Sequence, residues 1–223
     1  MSKINLVIAS LSVSSVFALV FVCLITLGVT SAAYAAEQYS LVGKWGSRGS
    51  GEGKFSQPLD LAIDSSGNVY VTDFTGIGNQ IQKFTANGTF ISSWGNLGFG
   101  NGRFTNPAGI AIDSSGNVYV GDFGENNRVQ KFDSDGKFIA KLGAPGSDDG
   151  QFITPADIAV DKAGNLYVVD AGNNRVQKFD SNGKFITNWT VSSPFGIAVD
   201  SGGKVYVIDQ TPGGIQIYGL ISS

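Results

Sequence analysis

Beyond residue 36 the chain is written in short runs that alternate apolar and polar side chains, set apart by clusters of Gly, Asn, Asp and Ser. Leu61-Ala-Ile-Asp64, Asn68-Val-Tyr-Val71 and Arg128-Val-Gln-Lys-Phe132 are typical. A period of two marks a strand with one face turned to a core, and Asn/Gly or Asp/Gly pairs between runs mark tight turns. Helical periodicity is absent from this part of the chain. The pattern therefore predicts an all-β protein built of short antiparallel strands.

The runs recur as a unit. Pro58-Leu-Asp-Leu-Ala-Ile-Asp64-Ser-Ser-Gly-Asn-Val-Tyr70-Val is echoed by Pro107-Ala-Gly-Ile-Ala-Ile-Asp113-Ser-Ser-Gly-Asn-Val-Tyr119-Val. It returns at Pro155, Asp161 and Tyr167, and again at Pro194, Asp200 and Tyr206. A unit of about 40–50 residues that holds four strands, repeated four times, calls for radial repetition. A propeller leaves few open sheet edges and accommodates such units. The predicted blades are residues 58–95, 107–143 and 155–189, and a fourth that starts at 194 and stops near 219 after three strands. Tyr39-Ser-Leu-Val-Gly-Lys-Trp45-Gly46 matches the end of a fourth strand such as Trp94-Gly95. Residues 39–46 are thus expected to complete the last blade and close the ring. Two closures stay open: one chain by itself, or two chains in association.

The first 35 residues read differently. Lys3 is the only charge before Glu37, Val16–Val29 is apolar, and Ser31-Ala-Ala-Tyr-Ala35-Ala36 offers a small-x-small site. This is the layout of a secretory signal peptide cut after Ala35. An uncleaved anchor over residues 6–29 is the competing reading. Either way residues 36–223 are expected to be secreted or extracytoplasmic, touching a membrane only through an uncleaved N-terminal segment.

Composition narrows the chemistry. The chain has no histidine, and its one cysteine, Cys23, falls in the leader. The commonest general base and zinc ligand, and any disulfide framework, are thereby removed. Formal net charge is −3 with the basic residues scattered, so nucleic acid is not an expected partner. No Ser-His-Asp set, phosphate loop or dinucleotide motif is present.

Beyond Cys23, the repeat chemistry resembles the NHL-repeat β-propeller family. Asn127-Arg128-Val129 and Asn174-Arg175-Val176 occupy the Asn-His-Leu place, with Arg for His. The Pro-x-Gly/Asp-Ile-Ala-Val-Asp and Asn-Val-Tyr-Val-x-Asp segments match as well. So do the connectors Gly51-Glu-Gly-Lys-Phe55, Gly100-Asn-Gly-Arg-Phe104 and Asp149-Gly-Gln-Phe152. Asn79-Gln80-Ile81 departs modestly and Gly213-Gly214-Ile215 departs more. The resemblance implies a propeller, often of six blades in the family, and relatives that include metal-holding lactonase-like enzymes.

Residues that return in every blade are expected to build blades, and those that differ to carry function. Asp73, Asp122, Asp170 and Asp209, with Arg128 and Arg175, are therefore read as structural, as are the turn aspartates Asp64, Asp113, Asp161 and Asp200. Asp133-Ser-Asp135-Gly136 begins like a calcium loop, but the twelfth position is Ala144 and the turn reading stands. Asp60 and Asp157 break the repeat, since Gly109 and Gly196 fill the matching places. They lie in alternate blades, where they could meet a ligand or a divalent cation such as Ca²⁺ or Mg²⁺ at the channel mouth. No other cofactor is expected. Phe74, Phe99 and Phe123 are candidates for an apolar partner patch. Asn87-Gly-Thr89 and Asn188-Trp-Thr190 fit the glycan acceptor pattern. The reading favoured is a protein- or small-ligand-binding scaffold module, with a metal-dependent lactonase-like hydrolase or lyase as the alternative.

Overall fold

The computed structural model describes residues 39–74 and 79–220. The expected leader, residues 1–35, lies outside the described residues. The body that begins at Gly43 is built of strands, with one short 3₁₀ turn at Ala171–Asn173.

A two-residue parallel pair, β1 (Ser47–Arg48) and β2 (Lys54–Phe55), leads in. Three four-stranded antiparallel sheets follow. Blade one holds β3 (Pro58–Ile63), β4 (Val69–Asp73), β5 (Gln80–Phe84) and β6 (Phe90–Trp94). Blade two holds β7 (Pro107–Ile112), β8 (Val118–Asp122), β9 (Arg128–Phe132) and β10 (Phe138–Leu142). Blade three holds β11 (Pro155–Val160), β12 (Leu166–Asp170), β13 (Arg175–Phe179) and β14 (Phe185–Thr190). Blade four has three strands among the described residues: β15 (Pro194–Val199), β16 (Val205–Asp209) and β17 (Gly214–Tyr218).

The local chemistry explains these bounds. Each opening strand starts at a proline, which lacks the N–H that a central strand needs. Each first turn is closed by its aspartate. Asp113 Oδ1 accepts from the amides of Ser115 and Asn117 at 2.9 Å, while Asp113 Oδ2 accepts from Tyr119 Oη at 3.1 Å. Gly67, Gly116, Gly164 and Gly203 take φ of +81° to +84° there, a region that only glycine enters freely.

Blades pack face to face, and each interface repeats. Tyr70 and Ile81 of blade one meet Ile110, Val118, Val120 and Phe132 of blade two. Tyr119 and Val129 meet Ile158, Leu166 and Val168 in the next interface, and Tyr167, Val169 and Val176 meet Val205 and Val207 in the last. Each such buried side chain is worth about 1.5–3 kcal/mol, so the interfaces carry the fold. A connector phenylalanine plugs each of the first three blades. Phe55, Phe104 and Phe152 lie 5.7, 5.7 and 5.8 Å from the rings of Phe84, Phe132 and Phe179.

The expected fourth strand of the last blade is not formed by residues 39–46, which contain no strand. Trp45 does correspond to Trp94, but both rings serve the blade that follows them in the chain. Trp45 lies 6.3 Å from Phe84, as Trp94 lies 5.9 Å from Phe132. The parallel bridge after each is also alike: β1 with β2, then Leu97 with Phe104 and Pro145 with Phe152. A nearby apolar site captures the tryptophan without the entropy of closing a loop around the whole ring.

Candidate functional site

The repeated aspartates and arginines bind connectors to blades. Asp73, Asp122, Asp170 and Asp209 are buried at the ends of β4, β8, β12 and β16. Asp122 Oδ1 accepts from the amides of Thr105 at 2.8 Å and Asn106 at 3.1 Å. Arg128 donates to Asp122 at 3.3 Å and to the carbonyls of Phe99, Gly100 and Arg103. Arg175 donates to Asp170 at 2.7 Å and to the carbonyls of Asp148 and Gln151. Burial raises the Asp122 carboxyl above the usual range, while the amides of Asn106 and Thr105, Asn126 and Arg128 pull it back. These residues are occupied in holding the chain together.

A further set was not singled out in the sequence. Gln82, Gln130 and Gln177 are fully buried on the third strands. Each accepts from a connector glycine, Gly53, Gly102 or Gly150, at 2.9 Å. Each also donates to a connector carbonyl, that of Lys54, Arg103 or Gln151. Their recurrence in Gln-Lys-Phe was the available signal. Asp133 closes a turn by accepting from Asp135 N and Lys137 N, as the turn reading required. Asn87 is exposed in the β5–β6 turn; Asn188 is exposed on β14, its amide donating to Asp149 at 2.7 Å.

The repeat-breaking residues gather elsewhere. A cavity of about 580 Å³ opens where the four inner strands begin. Its walls include Phe74, Phe123, Phe195 and Ile208, and among the described residues Asp60 and Asp157 are the only charged side chains lining it. Phe74 and Phe123 stack with centroids 5.2 Å apart and planes at 21°. Phe99 is not among the lining residues; it is exposed on its connector, where its carbonyl accepts from Arg128. Leu59 and Phe195, which vary at the position after the proline, also line the cavity and were not picked out in the sequence.

Bulges aim the two acids. The register of the first strand pair shifts between Pro58 and Asp60 and between Pro155 and Asp157. Asp60 accepts from Leu61 N and, across to the next blade, from Ile110 N, both at 2.8 Å. Asp157 accepts from Ile158 N and from Ile197 N of the following blade, both at 2.8 Å. Both acids therefore staple neighbouring blades as well as lining the cavity. Burial pushes the Asp157 carboxyl up to about 6; the Ile197 and Ile158 amides lower it, and the Asp60 charge adds to the rise. Burial likewise raises Asp60 against the amides of Ile110 and Leu61. Gly109 is required by this packing, since an added Cβ would lie 2.5 Å from Asp157 Cα.

A divalent metal fits this arrangement poorly. Each carboxylate oxygen already accepts a backbone amide, and among the described residues no three acidic, His or Cys side chains are grouped to hold an ion. A ligand bearing a donor or cationic group could still reach the remaining lone pairs.

The NHL repeat model matches residues 55–84, 104–132 and 152–179, which run from each connector phenylalanine to the end of each third strand. The chain is an NHL-repeat β-propeller protein. The three matches fall on blades one to three; blade four, with Gly213-Gly214-Ile215, lies outside them. No curated protein sequence matches this chain. Among solved structures the propeller is similar to a protein of unknown function from Bacteroides caccae, at 18% identity and a TM-score of 0.56, covering 74% of this chain and 57% of that one. It is similar to virginiamycin B lyase from Staphylococcus aureus, determined with quinupristin, at 19% identity and a TM-score of 0.55, covering 74% and 56%. A gluconolactonase from Xanthomonas campestris gives 16% identity and a TM-score of 0.56, covering 82% and 62%. These likenesses show the fold, and the chain spans a little over half the length of the structures it matches.

Proposed function

We propose that this NHL propeller is an extracytoplasmic binding module that takes a small ligand with an apolar body and a cationic or donor group in the cavity at the start of the inner strands. One observation carries the reading: an aromatic-walled cavity of about 580 Å³ whose only charged lining side chains, among the described residues, are two carboxylates. The stacked Phe74–Phe123 pair offers a flat apolar surface, and the acids select against anions. Location outside the cytoplasm is part of the proposal and rests on the N-terminal sequence.

Titration with a cationic aromatic amine such as proflavine, followed by fluorescence, tests it. Binding to the wild-type chain is expected, with affinity falling about tenfold in Phe74→Ala and Phe123→Ala. Equal affinity in all three proteins would sink the reading.

The similarity to a gluconolactonase and to virginiamycin B lyase supports a second reading, hydrolase or lyase activity at the same cavity. A metal-dependent form needs ligands beyond Asp60 and Asp157. Thermal unfolding after chelation and add-back of Ca²⁺, Mg²⁺, Mn²⁺ or Zn²⁺ distinguishes the two, because a metal at 100 times its Kd stabilises by about 2.7 kcal/mol. A rise lost in Asp157→Ala favours the metal enzyme; no rise favours the binding module.

A further inference from the structure

We propose that the two end faces of the blade series pack on a second copy of this chain, head to tail, so that blade four of each copy meets blade one of the other.

Inside the chain every interface joins a forward face, carried by the second and third strands, to a backward face of the next blade. The forward positions Ile81, Val129 and Val176 are 0%, 1% and 0% exposed. Their counterpart on blade four, Ile215, is 69% exposed. Thr72 and Val169 are both 0% exposed, whereas the matching Ile208 is 46% exposed. On the backward side Ile110 and Ile158 are each 4% exposed, while the matching Leu61 of blade one is 58% exposed and its neighbour Ile63 is 61%. Among the described residues, blade four thus presents an uncovered forward face and blade one an uncovered backward face. The two are complementary by construction, since Ile81 against Ile110 is the same pairing as Ile215 against Leu61.

Terminal repeats that face water are normally capped with polar residues. Here the substitution runs the other way. Lys83, Lys131 and Lys178 each sit about 5 Å over a tyrosine ring on the forward face, and blade four carries Ile217 in their place, 61% exposed. A face that becomes more apolar at the end of the series is made for burial.

The inner strands point to the same occupant. Asp blades and Gly blades alternate: Asp60, Gly109, Asp157, Gly196. The step from a Gly blade to an Asp blade is the close approach of Gly109 to Asp157. Blade four is a Gly blade and blade one an Asp blade, so Gly196 of one copy against Asp60 of the other continues the series without a break. Two copies joined at both ends then share one channel, and the cavity described above becomes part of it. The association does not depend on that cavity binding a ligand.

Light scattering on the purified chain tests the inference. The expected species has twice the mass of one chain. Leu61→Asp and Ile215→Lys each reduce it to the monomer while the far-ultraviolet β-sheet spectrum is kept, since both side chains lie on the surface. Mixing the two variants restores the double mass, because each mixed pair has one native junction and one Asp–Lys junction. A wild-type monomer, an open polymer that grows with concentration, association that survives both substitutions, or a mixture that stays monomeric would each overturn the proposal.

Discussion

At the scale of single residues, the molecule gives its aspartates different duties through their surroundings. Asp122 is buried against the Arg128 guanidinium and two connector amides. Asp122→Ala leaves that guanidinium buried without its partner, and a loss of about 3–5 kcal/mol is expected in urea unfolding. Asp157 behaves in the opposite sense with pH. Its carboxyl is raised to about 6, so the folded protein keeps a proton that the unfolded chain releases near the ordinary value of about 4. Its contribution to stability is complete below that ordinary value and is lost as pH rises through about 6. The turn acids Asp64, Asp113 and Asp161 run the other way. Burial alone would raise them, but side-chain and backbone bonds from Asn68, Asn117 and Asn165, with others, bring them below the usual range. Their contribution is present above the usual carboxylate range and is lost as pH falls through their lowered values. Urea midpoints from pH 4 to 7 should therefore show a decline across the Asp157 window in the wild type that is reduced in Asp157→Asn.

At the scale of strands and connectors, the period-two runs, the prolines and the Asp…Gly turns were legible because they are local chemistry repeated in each blade. The buried glutamines were less so. A glutamine on an alternating strand reads as solvent-facing, and only the connector folded over it shows why Gln130 is buried. Asp60 and Asp157 were recognised as repeat-breaking, yet their bonds to Ile110 N and Ile197 N depend on bulges that the sequence does not mark. The glycines opposite them illustrate the element-scale constraint. Gly109→Ala would push a methyl into the Asp157 backbone, whereas Gly196→Ala would meet the flexible end of Ile208 at 2.9 Å. The first is expected to cost about 1–3 kcal/mol, as overpacking does, and the second clearly less, by thermal unfolding of both variants.

At the scale of the whole molecule, four blades are joined by three matching interfaces; Asp60, Phe74, Phe123 and Asp157, which vary between blades, line the cavity, while the repeated residues hold connectors to blades. The sequence suggested that residues 39–46 complete the last blade; the tryptophan that suggested it recurs as Trp94 and Trp189, with Leu142 in the place between, and each ring packs on the blade ahead. The direction of packing is set by tertiary contact and not by the motif. The proposed function requires that the acid-bearing cavity bind a cationic or donor-bearing ligand through its repeat-breaking residues. The most direct test is the affinity of the cationic aromatic probe measured from pH 5 to pH 8 in the wild type and in Asp157→Asn. Binding is expected to weaken as pH falls, with an inflection near 6 in the wild type that is absent from the variant. A flat profile in the wild type, or an inflection that survives in Asp157→Asn, would contradict it.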